Sequence, residues 1–170
     1  MNQSSATALS YQITEAQFIA AQRLHISIHS KGRKWWLRIS KLIGAAIVLG
    51  SLYEGTYWLM LGGLIYMLHG WIGWTFSTLP GLMRSYQSSP SLQQENHLSL
   101  QGGQLFTRSA EAGGALPWSH IIGWAENDAC MLLYLQPQLF IIVPKEADAQ
   151  SVFIPQLREQ LQLHERPEID

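Results

Sequence analysis

TYWLMLGGLIYMLHGWIGWTFSTL, residues 56–79, is an apolar run of roughly 24 residues in which His69 is the only readily ionisable side chain. A helix crossing a bilayer needs about 20 predominantly apolar residues, so this run is long enough by itself. Pro80-Gly81 is expected to end it. Upstream, residues 42–53 form a second apolar run that is too short alone. Beginning it at Trp35 or Trp36 lengthens it to roughly 18 residues, which suffices to span. Arg38 and Lys41 then lie one or two turns inside and extend their stems back toward the headgroups. Glu54-Gly55 is the only polar break between the runs, so the two read as a transmembrane hairpin, about 35–53 and 56–79. A pair of buried core helices is the soluble alternative. Such a hairpin has almost no polar face, and the rest of the chain is too small to cover it.

The flanks give the hairpin an orientation. Lys31, Arg33, Lys34, Arg38 and Lys41 precede or open the first span, Glu54 alone marks the turn, and Arg84 follows the second. Basic flanks remain cytoplasmic, so a multi-pass protein of the cytoplasmic membrane with both termini cytosolic is expected. Trp35 and Trp36 fall at the same expected depth as Trp71 and Trp74, while Tyr53, Tyr57 and Trp58 gather at the other boundary. Such aromatic belts form where one ring edge is apolar and the other can hydrogen-bond. Ala46 with Gly50, and Gly63 with Gly70 and Gly73, are the small residues expected to let the spans pack closely. The same positions allow a homodimer instead. His69 is expected in packing or at an interface, where it can hydrogen-bond to the partner helix, in preference to proton or ion handling.

Composition narrows the function. The 170 residues contain 11 Lys and Arg against 12 Asp and Glu, for a formal net charge of −1. That near-neutral balance lacks the basic footprint of a nucleic-acid protein. Charged residues are 14% of the chain, against roughly 25% in soluble domains. The single cysteine, Cys130, cannot close an internal disulfide, and its setting in Cys130-Met131-Leu132-Leu133 reads as a buried structural thiol. Residues 1–10 are polar and small, without the basic region and apolar core of a secretory leader.

Outside the hairpin the periods are those of a mixed domain. Leu9-Ser10-Tyr11-Gln12-Ile13 alternates as a strand. Thr14-Glu15-Ala16-Gln17 fits a capping box, opening an amphipathic helix to about His29, with Gly32 marking its end. After a polar linker at residues 82–94, Leu98-Ser99-Leu100 and residues 104–109 form a hairpin about Gly102-Gly103. Short strands follow at 121–126, 130–135 and 139–143, and a helix begins near the first-turn proline Pro155, with Leu157 and Leu161 on one side. The expected divisions are 1–34 (strand and helix), 35–81 (hairpin), 82–94 (linker) and 95–165 (β domain). The fold class is therefore an α+β membrane protein: a two-helix hairpin plus a small β-sandwich or partly open barrel capped by a C-terminal helix, with the N-terminal strand added at an edge.

Certain residues in this order resemble the YcxB-like family of small bacterial membrane proteins. They are Tyr11-Gln12-Ile13-Thr14-Glu15 with Phe18, the hairpin, Trp118-Ser119 with Ile121 and Glu126, and Ile142-Val143-Pro144-Lys145. The resemblance covers roughly residues 9–163 and implies a C-terminal domain similar to pleckstrin-homology folds. Glu146 stands where the family pattern has a second basic residue. The resemblance brings no established reaction.

Nor do the residues compose one. His25 and His29 have a metal-compatible spacing of four, but no third ligand accompanies them locally. Ser119-His120, read as strand neighbours, point to opposite faces, and Trp118 and Trp124 read as packing residues. No catalytic residue, cofactor or metal is expected. The basic and aromatic collar of Lys31, Arg33, Lys34, Trp35, Trp36, Arg38, Lys41 and Arg84 is the best physical site, suited to the bilayer interface and its anionic headgroups. The leading expectation is a non-catalytic, membrane-tethered binding or regulatory module with a protein or headgroup partner. The alternative is an accessory subunit of a transporter or enzyme complex that acts through its hairpin.

Overall fold

A computed structural model describes residues 7–109 and 113–169, without the side chains of Thr7, Lys31, Arg33 and Lys34. The chain forms two compact units. One unites the residues up to His25 with those from Tyr86 onward; the other is Ile26–Ser85.

The first unit begins with strand β1, Thr7–Gln12, and helix α1, Glu15–His29. The capping box is formed: the Thr14 amide donates to Gln17 Oε1 at 3.1 Å, and the Gln17 amide donates to Thr14 Oγ1 at 3.3 Å. Gly32 does not end this helix. The break falls at Ser30, and Gly32 lies in the first turn of α2, Lys31–Glu54.

In the second unit, α2 turns back through Gly55, whose φ of 70° places it in the left-handed region that favours glycine. Helix α3, Tyr57–Gly73, follows. Pro80-Gly81 does not stop the helical path. A π-helical turn at Trp74–Thr78 leads directly into α4, Leu79–Gln87. Pro80 has no N–H to donate, and the Leu79 amide reaches back five residues to the Trp74 carbonyl. The wider turn thus absorbs the missing bond without a break. Residues 82–87 of the expected linker are helical, and only Pro90–Gln93 forms a short 3₁₀ turn before the sheet.

Strands β2, Glu95–Gln101, β3, Gln104–Arg108, and β4, Gly113–Leu116, complete a four-stranded antiparallel sheet in the order β1-β2-β3-β4. Gly102 and Gly103, both at positive φ, make the two-residue turn between β2 and β3. Strands β5, Gly123–Glu126, β6, Cys130–Gln136, and β7, Leu139–Pro144, form a second antiparallel sheet, and α5, Phe153–Leu163, follows. Residues 7–25 are therefore not a separate segment. β1 pairs with β2 from Thr7 opposite Leu100 to Gln12 opposite Glu95. The β domain also extends past residue 165: the Trp124 amide donates to the Pro167 carbonyl, and the Ile169 amide to that of Trp124.

The core of this unit draws on Leu9 and Tyr11 of β1, Leu98, Leu105, Trp124, and Phe153, Leu157 and Leu161 of α5. In β6, Cys130 through Tyr134 are all fully buried. A strand covered on both faces reads as a continuous apolar run. Helix α1 supplies one cover, where His25 meets the rings of Tyr134 and Phe140.

Candidate functional site

The hairpin's packing sets the level of every side chain on it. A Cβ at Gly63 would lie 2.9 Å from Val48 Cγ2 and 3.0 Å from the Gly44 carbonyl; one at Gly44 would meet Met67; one at Gly70 would meet Leu37. These antiparallel contacts make Trp35 and Trp36 level with Trp71 and Trp74, and Tyr53 level with Tyr57 and Trp58. All of these except the half-buried Trp74 are exposed. Along α2 the two aromatic levels, Trp36 and Tyr53, lie about 26 Å apart at 1.5 Å per residue. Between them Leu42, Ile47, Leu49, Leu61, Leu64, Ile65 and Leu68 face outward.

Of the expected packing residues, Gly63 and Gly70 lie at the close approach. Gly50 and Gly73 do not: a Cβ there meets nothing within 4 Å, and Ala46 is exposed. The α2 contact stripe is instead Ser40, Gly44, Val48 and Ser51. Its signal was present as small or compact residues at helical spacing, and a stripe chosen one face away overlooked it. The buried hydroxyls suit that face because each bonds its own helix, Ser40 Oγ to the Leu37 carbonyl and Ser51 Oγ to that of Val48. His69 likewise turns to its own helix. Its Nδ1 lies 2.7 Å from the Tyr66 carbonyl and its ring stacks on Tyr66, so that nitrogen is engaged within α3.

Of the basic collar, Arg38, Lys41 and Arg84 are exposed, while the side chains of Lys31, Arg33 and Lys34 lie outside the described residues. Of the two histidines at four-residue spacing, His25 has its Nδ1 3.2 Å from the Tyr134 hydroxyl and its ring centroid 5.0 Å from that of Phe140. His25 thus serves the packing of α1 on β6.

In the β unit the polar contacts are largely internal. Arg158 donates to both Glu126 oxygens at 2.8 and 2.9 Å, and Lys145 Nζ lies 3.7 Å from the same carboxylate. This cluster ties β5, the end of β7 and α5 together, and occupies the Pro144-Lys145 element with a carboxylate of the chain itself. Trp118 and Trp124 are buried, and their indoles donate to the Gly103 and Arg166 carbonyls at 2.7 and 3.1 Å. Ser119 and His120 sit exposed on a 3₁₀ turn, Trp118–His120, not on a strand. The outer face of the first sheet carries an open depression of about 1110 Å³ over Ser10, His97, Ser99, Phe106 and Arg108.

Two structural residues carry direct tests. The buried Asp148 carboxylate accepts the Val152 amide at 3.1 Å and the Ile154 amide at 2.8 Å, satisfying the open end of α5. Asp148→Ala is expected to remove about 1–2 kcal/mol of stability and Asp148→Asn much less, read as the thermal unfolding midpoint in mild detergent. Burial pushes the Cys130 thiol up to about 11, opposed by the nearby Lys145 ammonium. The thiolate is the reactive form. Iodoacetamide at pH 8 is therefore expected to leave Cys130 unmodified in the folded protein and to label it after denaturation.

A family model described as YcxB-like protein matches residues 101–154. The match runs from the last residue of β2 into the first turn of α5, a narrower reach than the resemblance suggested. Comparison with curated proteins gives no match, and comparison with solved structures gives none. The β3–β7 portion of this chain, with the Trp118 turn and the Pro144-Lys145 element inside it, is similar to YcxB-like proteins.

Proposed function

We propose that the chain is a non-catalytic, membrane-tethered binding module, anchored by α2 and α3 and carrying a pleckstrin-homology-like domain at the cytosolic face. The observation that carries this reading is the outward surface of the hairpin. Leu42 is 71% exposed, Leu49 68% and Leu61 60%, on helices long and apolar enough to cross a membrane. Core helices of a soluble protein bury such side chains, whereas lipid accepts them.

Pairing of β1 with β2 supports an even number of crossings, because strands on either side of the hairpin belong to one sheet. Basic residues flanking the spans favour the cytosol as that side. A four-stranded sheet, a three-stranded sheet and a terminal helix, in that chain order, support the pleckstrin-homology-like assignment. In this reading the hairpin is an insertion between the first two strands. Its partner is a cytosolic or membrane protein meeting the β unit.

One observation favours the accessory-subunit reading instead: Ala46, Gly50 and Gly73 stay uncovered by the hairpin's own packing. Topology is tested with single cysteines and a membrane-impermeant maleimide on intact cells. Glu54→Cys should label from outside, and Ser89→Cys only after lysis; the reverse pattern would overturn the orientation. Co-purification from membranes then separates the two readings. A partner lost from the His97→Ala, Phe106→Ala, Arg108→Ala variant supports the β module. A partner lost only from the Ala46→Leu, Gly50→Leu, Gly73→Leu variant assigns the interaction to the spans.

A further inference from the structure

We propose that Arg38 and Lys41 hold the phosphates of anionic lipids in the leaflet at the Trp35/Trp71 level, drawing them below the tryptophan belt. The proposal rests on the membrane reading above and adds the ligand.

Depth is the first observation. The Leu37–Gly70 and Gly44–Gly63 contacts fix the helix register, which makes Arg38 level with His69, about 3 Å below Trp71, and Lys41 level with Tyr66. Lys41 therefore lies about 4–5 Å deeper than Arg38, at 1.5 Å per residue. The side chains exposed near it are Leu42, Leu64, Ile65 and Leu68.

Charge is the second. Between residues 26 and 85 the cations are Lys31, Arg33, Lys34, Arg38, Lys41 and Arg84, and Glu54 is the sole carboxylate. Glu54 closes the far end of α2, about 20 Å from Lys41 along the axis. The hairpin thus provides no counter-charge at the depth where Lys41 sits, and an ammonium there is costly unless it reaches an anion or water.

Geometry is the third. Arg38 and Lys41 are three apart, on one stretch of the helix surface, and both are exposed. Their stems can extend toward the boundary and meet phosphate oxygens from two sides. Arg38 forms the fork and Lys41 the point charge.

The test uses the full chain in micelles containing equal amounts of phosphatidylglycerol and phosphatidylcholine, with the lipid retained after purification quantified. The wild type should retain phosphatidylglycerol preferentially. That preference should fall about fivefold for each cation removed in Lys41→Gln and Arg38→Gln, and Lys41→Arg should keep it. Undiminished preference in the double variant, or none in the wild type, would overturn the proposal. Displacement of the lipid by millimolar inorganic phosphate would make this a soluble-anion site and also overturn it. Flotation with pure phosphatidylcholine vesicles separates the two levels. If the protein does not float, the membrane reading itself fails; floating without lipid preference sinks this inference alone.

Discussion

Gly63→Leu is expected to drive α2 and α3 apart, while Gly50→Leu leaves them as they are. At Gly63 a Cβ would already lie 3.0 Å from the Gly44 carbonyl and 3.1 Å from Ile47 Cγ2. The carbonyl is backbone and cannot rotate away, so the helices themselves must move. Overpacking of this kind costs about 1–3 kcal/mol even where a core can adjust. On the membrane reading proposed above the loss is the more telling, because close packing, not the hydrophobic effect, holds helices together in lipid. At Gly50 the same added atom meets nothing within 4 Å. Leu37→Cys with Gly70→Cys provides the measurement: Leu37 lies against Gly70, so the pair should cross-link on mild oxidation. The buried Cys130 thiol does not compete. The cross-link should be lost with Gly63→Leu and kept with Gly50→Leu. Equal yields in both would mean that Gly63 does not set the interface.

Trp124→Ala should produce the largest loss in the β unit, about 3–5 kcal/mol, against a whole-domain stability of about 5–15 kcal/mol. Trp124 is 2% exposed, and its indole donates to the Arg166 carbonyl. Its backbone holds Pro167 and Ile169, and Glu168 bridges to it in parallel. Two failures should therefore coincide: a lowered unfolding midpoint and rapid amide exchange at residues 166–169. Gly123→Ala separates them. A Cβ there would sit 2.8 Å from Ile169 Cδ1 and 3.0 Å from the Pro167 carbonyl, so the tail should be displaced while the Trp124 ring stays packed. Unchanged exchange at residues 166–169 in both variants would show that the tail does not depend on this contact.

The gap between sequence and structure is instructive at the glycines. Spacing alone identified small residues on both spans, but it could not say which face each helix presents. Rotating α2 by about a third of a turn exchanges Ala46 and Gly50 for Gly44 and Ser51, and only contact with α3 makes that choice. Asp148 shows a different limit. Its carboxylate reaches amides at Val152 and Ile154 across a turn, whereas a cap search looks immediately before the helix. The Glu126–Lys145–Arg158 cluster joins residues distant in sequence, and no local pattern encodes it.

Local chemistry by itself determined the elements. The capping box placed the start of α1, Gly102-Gly103 placed the first hairpin turn, alternation placed β1, and continuous apolar runs placed β6 and β7, because each depends on neighbours within a few residues. The length and hydropathy of residues 35–79 likewise determined two helices with outward apolar faces. Tertiary structure alone decided that β2 is the strand on which the edge strand β1 pairs, that residues 166–169 close against Trp124, and that the helical path runs through Pro80. The first two join segments that no local period relates. The third follows because a π turn can take up the bond that proline lacks, and whether a chain breaks or widens there is settled by the helix on either side.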